Sequence, residues 1–387
     1  MSFLRLAFAL CLGALALPSH AHAQHVELAG RVTASRTVLA QRRVGEARYI
    51  AISDLFYRDR SAYLEVLDLA TQTVVQVRAK RSLLERRFTA SRDASAGLPQ
   101  AEIAAFRDGV IGLAVTEGAT SKSHRVWYAE LEARSGKLLR SVYLATIGED
   151  EQLQIVGADA GGGSVWFAIT ERAGRGRAVV LSRLDLASLE THDEQRIALA
   201  PRARRGSHEH AVQVHAAADF SRFAIVEYVE DGVQMAPGQI YIATPAARTV
   251  LAVPAPPTTY GVAFSADGKY VYLGSAQRGT ISRVDLGTGR IDKQVAAPRN
   301  LHHLVISAGG TKLFALATSS TYAVYDLPDL KARSDAAHPA GIALAMGALH
   351  GDGIASLDGA FFVVPDSEDR RKPAAADRTY VIARLVD

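Results

Sequence analysis

Apolar and polar positions alternate along most of this chain, and the alternation is clearest between residues 258 and 331. Thr258 to Leu273 reads as strand, turn, strand, with Ala266-Asp267-Gly268 at the turn. An Asp-Gly pair suits that position because glycine accepts positive φ without a Cβ clash. Gln277-Arg278-Gly279 marks a second turn, and Ile281 to Leu286 alternates as a third strand. Gly287-Thr288-Gly289 turns the chain again, and Arg290 to Ala296 reads as a fourth strand. The same order returns in Leu304 to Phe314 and Tyr322 to Leu327. A four-strand unit of about 40 residues is the repeat of a ring of small sheets.

Weaker copies precede and follow this pair. Gln213 to Ile225 puts Asp219 where Asp267 stands, and Gln239 to Ala243 is its third strand. Gln152 to Ile169 turns at Gly161-Gly162-Gly163 and is followed by Val179 to Leu186. Phe106 to Thr116 with Arg125 to Leu131, and Arg48 to Ser53 with Tyr63 to Leu69, make two more. A C-terminal unit starts near Gly341 and ends at Tyr380 to Asp387. The expected starts are near residues 48, 106, 152, 211, 258, 300 and 340. The last unit stops after its third strand, while Val32 to Ala40 is a strand with no partner at the other end of the chain. The economical arrangement uses it as the missing outer strand, which closes the ring and removes exposed edges. The fold class expected is all-β: a seven-bladed β-propeller of four-stranded blades, closed by an N-terminal strand. Lys80 to Gln100, with Leu83, Leu84 and Phe88 at roughly helical spacing, reads as a short helix or a long loop. Ala200 to His210 reads as a basic insertion.

The stretch Tyr260-Gly261-Val262-Ala263-Phe264-Ser265-Ala266-Asp267-Gly268-Lys269-Tyr270-Val271-Tyr272, with Val284-Asp285-Leu286-Gly287-Thr288-Gly289, resembles the YVTN-type β-propeller repeat. Lactonase-like and quinoprotein-like propellers share this look. The resemblance covers residues 258 to 331 well and the rest faintly. It implies a ring of blades around a central channel, and it is specific for architecture rather than activity. Quinoprotein propellers carry a Trp after the strand-turn element, whereas Ser135-Gly136-Lys137-Leu138-Leu139 has Leu there. No cofactor is expected.

The ends change the picture of where the chain works. Arg5, the apolar run Leu6 to Leu17 and the small-x-small site Ala21-His22-Ala23 have the three parts of a removable secretory signal. The run is too short for a spanning helix, which needs about 20 apolar residues. The expectation is a signal peptide over 1–23 and one propeller domain over 24–387, with no membrane span in the mature chain. Cys11 is the only cysteine, so the mature part has none. Disulfides, thiol catalysis and zinc–cysteine sites are thereby excluded. A net charge of +4 is mild and does not argue for nucleic acid. Basic runs at Lys80-Arg81, Arg86-Arg87, Arg202 to Arg205 and Arg370 to Lys372 read as solvated loops, or as contacts for an anionic surface.

There is no G-x-S-x-G elbow, no H-E-x-x-H and no calcium loop. His208-Glu209-His210 has the wrong spacing for a zincin helix. Superposing the units aligns Thr258, Asn300, His210 and His338 ahead of the inner strands, and His302 with Tyr260. His208, His210, Tyr260, His302, His303 and His338 then gather at one mouth of the channel. Gathered imidazoles ligate metals or move protons near neutral pH, although twelve histidines make chance clustering easy. Asp68, Asp185, Asp285 and Asp326 recur at strand ends and read as turn caps. Trp127 and Trp166 read as core. The function expected is a periplasmic or secreted binding scaffold of the cell envelope, presenting the mouth and the loops Lys80–Arg92 and Arg202–His210 to a protein or glycan partner. The alternative is a lactonase-like hydrolase of a small sugar lactone. A third is a structural part of an envelope assembly, marked by a broad apolar patch.

Overall fold

A computed structural model of the chain describes residues 26–34, 42–43, 49–53, 63–78, 87, 100–117, 123–148, 151–159, 161–173, 176–200, 210–229, 239–317, 322–333, 354–356, 358–365 and 378–387. Among these residues the strands form seven sheets, each of four antiparallel strands. Blade 1 holds β2 (Arg42–Arg43), β3 (Tyr49–Ser53), β4 (Tyr63–Asp68) and β5 (Thr73–Arg78). Blade 2 holds β6 (Gln100–Arg107), β7 (Val110–Thr116), β8 (Ser123–Glu132) and β9 (Leu138–Gly148). Blade 3 holds β10 (Gln152–Ala158), β11 (Ser164–Ala173), β12 (Gly176–Asp185) and β13 (Thr191–Ala198). Blade 4 holds β14 (His210–Ala216), β15 (Phe223–Val229), β16 (Gln239–Thr244) and β17 (Thr249–Pro254). Blade 5 holds β18 (Thr259–Phe264), β19 (Tyr270–Ser275), β20 (Thr280–Asp285) and β21 (Arg290–Ala296). Blade 6 holds β22 (Leu301–Ile306), β23 (Lys312–Ala317), β24 (Tyr322–Asp326) and β25 (Lys331–Ala332). Blade 7 holds β26 (Ile354–Ala355), β27 (Phe361–Pro365) and β28 (Arg378–Leu385), with β1 (Val26–Ala34) on its outer edge.

The core lies between blades, because each sheet has two apolar faces that the neighbouring sheets cover. Seven apolar clusters join each blade to the next, and the seventh joins blade 7 to blade 1. The second strands are buried almost throughout: Leu313 to Ala317 of β23 and Val271 to Ser275 of β19 are all buried. The fourth strands face solvent and alternate, as in β21. That gradient is what a β-propeller of four-stranded blades requires.

Closure runs through β1, which pairs antiparallel with β28 from Val26↔Leu385 to Ala34↔Arg378. The closing strand therefore lies earlier than the Val32 to Ala40 expected. Val32 is its anchor, buried with Leu67, Leu69, Tyr380 and Ile382. Blade 1 also begins earlier than Arg48. Its inner strand is Arg42–Arg43, a basic pair that carries no apolar alternation to betray it. Blade 2 begins at Gln100 rather than Phe106. A two-residue turn at Asp108-Gly109 joins Arg107 to Val110, and both turn residues take positive φ. Most of Lys80 to Gln100, and residues 334–353 at the expected start of the last blade, lie outside the described residues.

Polar bridges add to the apolar seams. The Gln154 amide both donates to Val214 O (2.9 Å) and accepts from Val214 N–H (2.8 Å), tying the inner strands of blades 3 and 4. Arg107 and Arg140 of blade 2 reach Leu186 O of blade 3. Both also flank the buried Glu130 carboxylate, Arg140 at 2.5 Å and Arg107 at 3.7 Å. Gln72 of blade 1 donates to Ala29 O of β1, sealing the last joint.

Candidate binding face

In blades 2 to 6 the chain enters each inner strand from one face of the ring, and the turns between first and second strands, and between third and fourth, lie on the other. The opposite face is built by a repeated cap. In blade 5, Ser265 Oγ donates to Asp267 (2.7 Å) and accepts from Tyr270 N–H (2.9 Å). Lys269 N–H also donates to Asp267, so that carboxyl is held below its ordinary range by these hydrogen bonds. Blade 7 repeats this with Ser356 and Asp358. Blade 6 has Gly309 at the Asp position, and the Asp387 side chain enters from blade 7 in its place. It accepts from Ser307, from Gly309 N–H (2.8 Å) and from Thr311 Oγ1 (2.6 Å). Burial pushes the Asp387 carboxyl up, but these donors outweigh it and hold it low.

The strand-end aspartates expected as caps do that work in three cases. Asp68 accepts from Ala70 N–H, Asp185 from Ala187 and Ser188 N–H, and Asp285 from Thr288 N–H. Asp326 differs, pairing with Lys312 and Arg333 instead.

On the entry face, Tyr260 and His302 do occupy one structural position. The register of blade 5 slips between Thr259 and Gly261, and that of blade 6 between Leu301 and His303, so each residue is the extra one of a bulge. Tyr260 packs against the seam between blades 4 and 5, and the His303 ring meets Phe362 of blade 7 edge-on at 5.8 Å. His210 is the first residue of β14 and His302 lies in β22, with their side chains outside the description. His208 and His338 lie outside the described residues, as do Arg202–Arg205 and Arg370–Lys372. Among the described residues no group of three His, Cys, Asp or Glu has the geometry of a metal site.

The sequence reading missed a cluster near the same face of blade 2. Glu117, 6 % exposed in its side chain, receives Arg125 Nε at 2.8 Å and Trp127 Nε1 at 3.1 Å. Tyr143 of β9 meets Trp127 edge-on at 5.6 Å, and the Arg87 guanidinium stands 6.0 Å from the Trp127 ring centre. Trp127 is thus only partly core, resting on the seam between blades 1 and 2 with its indole N–H tethered. Tyr143 is 45 % exposed. Trp166 is core, packed among Phe220 and Phe223. The tether was legible only as the alternation Arg125-Val126-Trp127, because Glu117 is brought there by pairing of β7 with β8.

No family model matches the chain, and no curated protein matches it. Solved structures do. A chain from a structure described as "Crystal Structure of Mitotic Checkpoint Complex" aligns over 100% of both chains, at 12% identity and a TM-score of 0.52. Apo AztD from Citrobacter koseri aligns over 74% of this chain and 69% of its own, at 13% identity and a TM-score of 0.43. At such identities the likeness to the first is one of fold, a β-propeller.

Proposed function

We propose that this protein is an exported binding scaffold whose entry face holds a protein or glycan partner in the cell envelope. The observation that carries the reading is the Trp127–Tyr143–Arg87–Arg125 cluster. Aromatic rings and guanidinium groups dominate the energetics of recognition surfaces, because they bury much area at little entropic cost. Here the buried Glu117 fixes the indole and Arg125 before any partner arrives. The secretory pattern of residues 1–23 supports an envelope setting. The fold supports a scaffold, since a ring of rigid blades offers a stable platform for loops.

The test is capture from an envelope extract by the chain from Gln24 to Asp387, with Tyr143→Ala and His302→Ala as separate variants. Loss of the captured partner in the Tyr143 variant supports the reading. Unchanged capture by both variants moves the contact off this face. Hydrolysis of sugar lactones, lost in the His302 variant, replaces the scaffold reading with the lactonase-like one.

A further inference from the structure

On the face opposite the entry face, a groove of about 510 Å³ runs between blades 4 and 5. Ile242, Leu251 and Leu286 make it apolar, and Arg222, Lys269 and Asp285 make it charged. Its volume is within the range of small-molecule sites, about 300 to 1,000 Å³.

Arg222 is the unusual member. It is half-buried, yet among the described residues its guanidinium has no hydrogen bond and no ion pair. Arg107, Arg140, Arg183 and Arg283 all bond to a carboxylate or a carbonyl. The repeat explains the difference. Arg222 stands immediately before the second strand of its blade, at the position Lys312 holds in blade 6, since Ala217 and Ser307 N–H donate to their respective carbonyls. Lys312 lies across from Asp326 and pairs with it. In blade 4, Phe223 pairs with Ala243, so the residue across from Arg222 is Thr244. The carboxylate that pairs with Lys312 in blade 6 has no counterpart across from Arg222. The space is kept open by Gly268, where any Cβ would collide with the guanidinium.

We propose that this groove binds a small monocarboxylate with a short apolar body, its carboxylate held by Arg222 and its body against Leu251 and Leu286. A guanidinium fork matches a planar carboxylate with two parallel hydrogen bonds. A dianion such as phosphate is disfavoured, because Lys269 is shared with Asp267 at 3.6 Å and Asp285 adds a negative charge to the wall.

The probes are butyrate and its uncharged amide, butyramide, followed by saturation-transfer NMR on the chain from Gln24 to Asp387. Butyrate is expected to bind with an affinity on the order of millimolar, set by its few atoms. Butyramide is expected to bind roughly tenfold more weakly. Arg222→Gln removes the fork, and Thr244→Asp supplies the missing carboxylate in place without disturbing the core. Both are expected to weaken butyrate roughly tenfold. Thermal melts of both variants check that the fold is kept. Equal binding of acid and amide, no butyrate binding, or a Thr244→Asp variant that binds as well as wild type overturns the proposal.

Discussion

Single carboxylates on the turn face decide how blades 5 and 6 finish their first hairpins. Asp267 is kept acidic by the Lys269 N–H and the Ser265 hydroxyl. Its folded pKa is depressed, so its stabilisation is complete above the unfolded value near 4 and fades as pH falls through the folded one. Asp267→Asn should therefore flatten the acid side of the stability profile below about pH 4, read from thermal melts at a series of pH values. Asp387 does the same work from a neighbouring blade, against Ser307, Gly309 and Thr311. Asp387→Ala is expected to cost about 1 kcal/mol at neutral pH, measured by urea unfolding. The same change made together with Gly309→Asp should recover part of it, since Gly309 stands where Asp267 and Asp358 stand.

At the scale of elements, the joints between blades carry polar as well as apolar load. Glu130 of β8 is 3 % exposed and holds Arg107 and Arg140, which in turn grip Leu186 O in blade 3. Glu130→Ala leaves two guanidinium groups and the Tyr128 hydroxyl around a hole. A loss of about 3 kcal/mol is expected, checked by equilibrium unfolding, with a smaller loss for Glu130→Gln. The elements were legible wherever strands alternate and turns carry glycine, as from Thr258 to Leu327. They were not legible where the signal is not periodic. Arg42–Arg43 is two basic residues, and β6 has a bulge between Ile103 and Ala105 that breaks its alternation. The equivalence of Tyr260 and His302 was read correctly from the repeat. The Glu117 tether and the groove at Arg222 were hidden, because each depends on what a residue faces across a strand pair or a blade seam.

The whole molecule is a stack of near-neighbour contacts bent into a circle. Such a stack has its weakest joint where no covalent turn helps, between β1 and β28. Val32→Asp buries a charge in that joint and is expected to cost about 3 kcal/mol. Limited proteolysis should then cut first near residues 26–34, where in the wild-type chain the strand is protected.

That same joint also gives the ring a place in time. Val26 pairs with Leu385, so the seam joins the described strands of the ring that are made first and last. Until β28 is made, β1 presents a bare edge to every other strand in its surroundings, which is the condition under which β proteins aggregate. Contacts this distant in sequence also form slowly. The ring therefore stays open for most of the chain's early life, and whatever shields β1 during that interval determines the yield of folded protein.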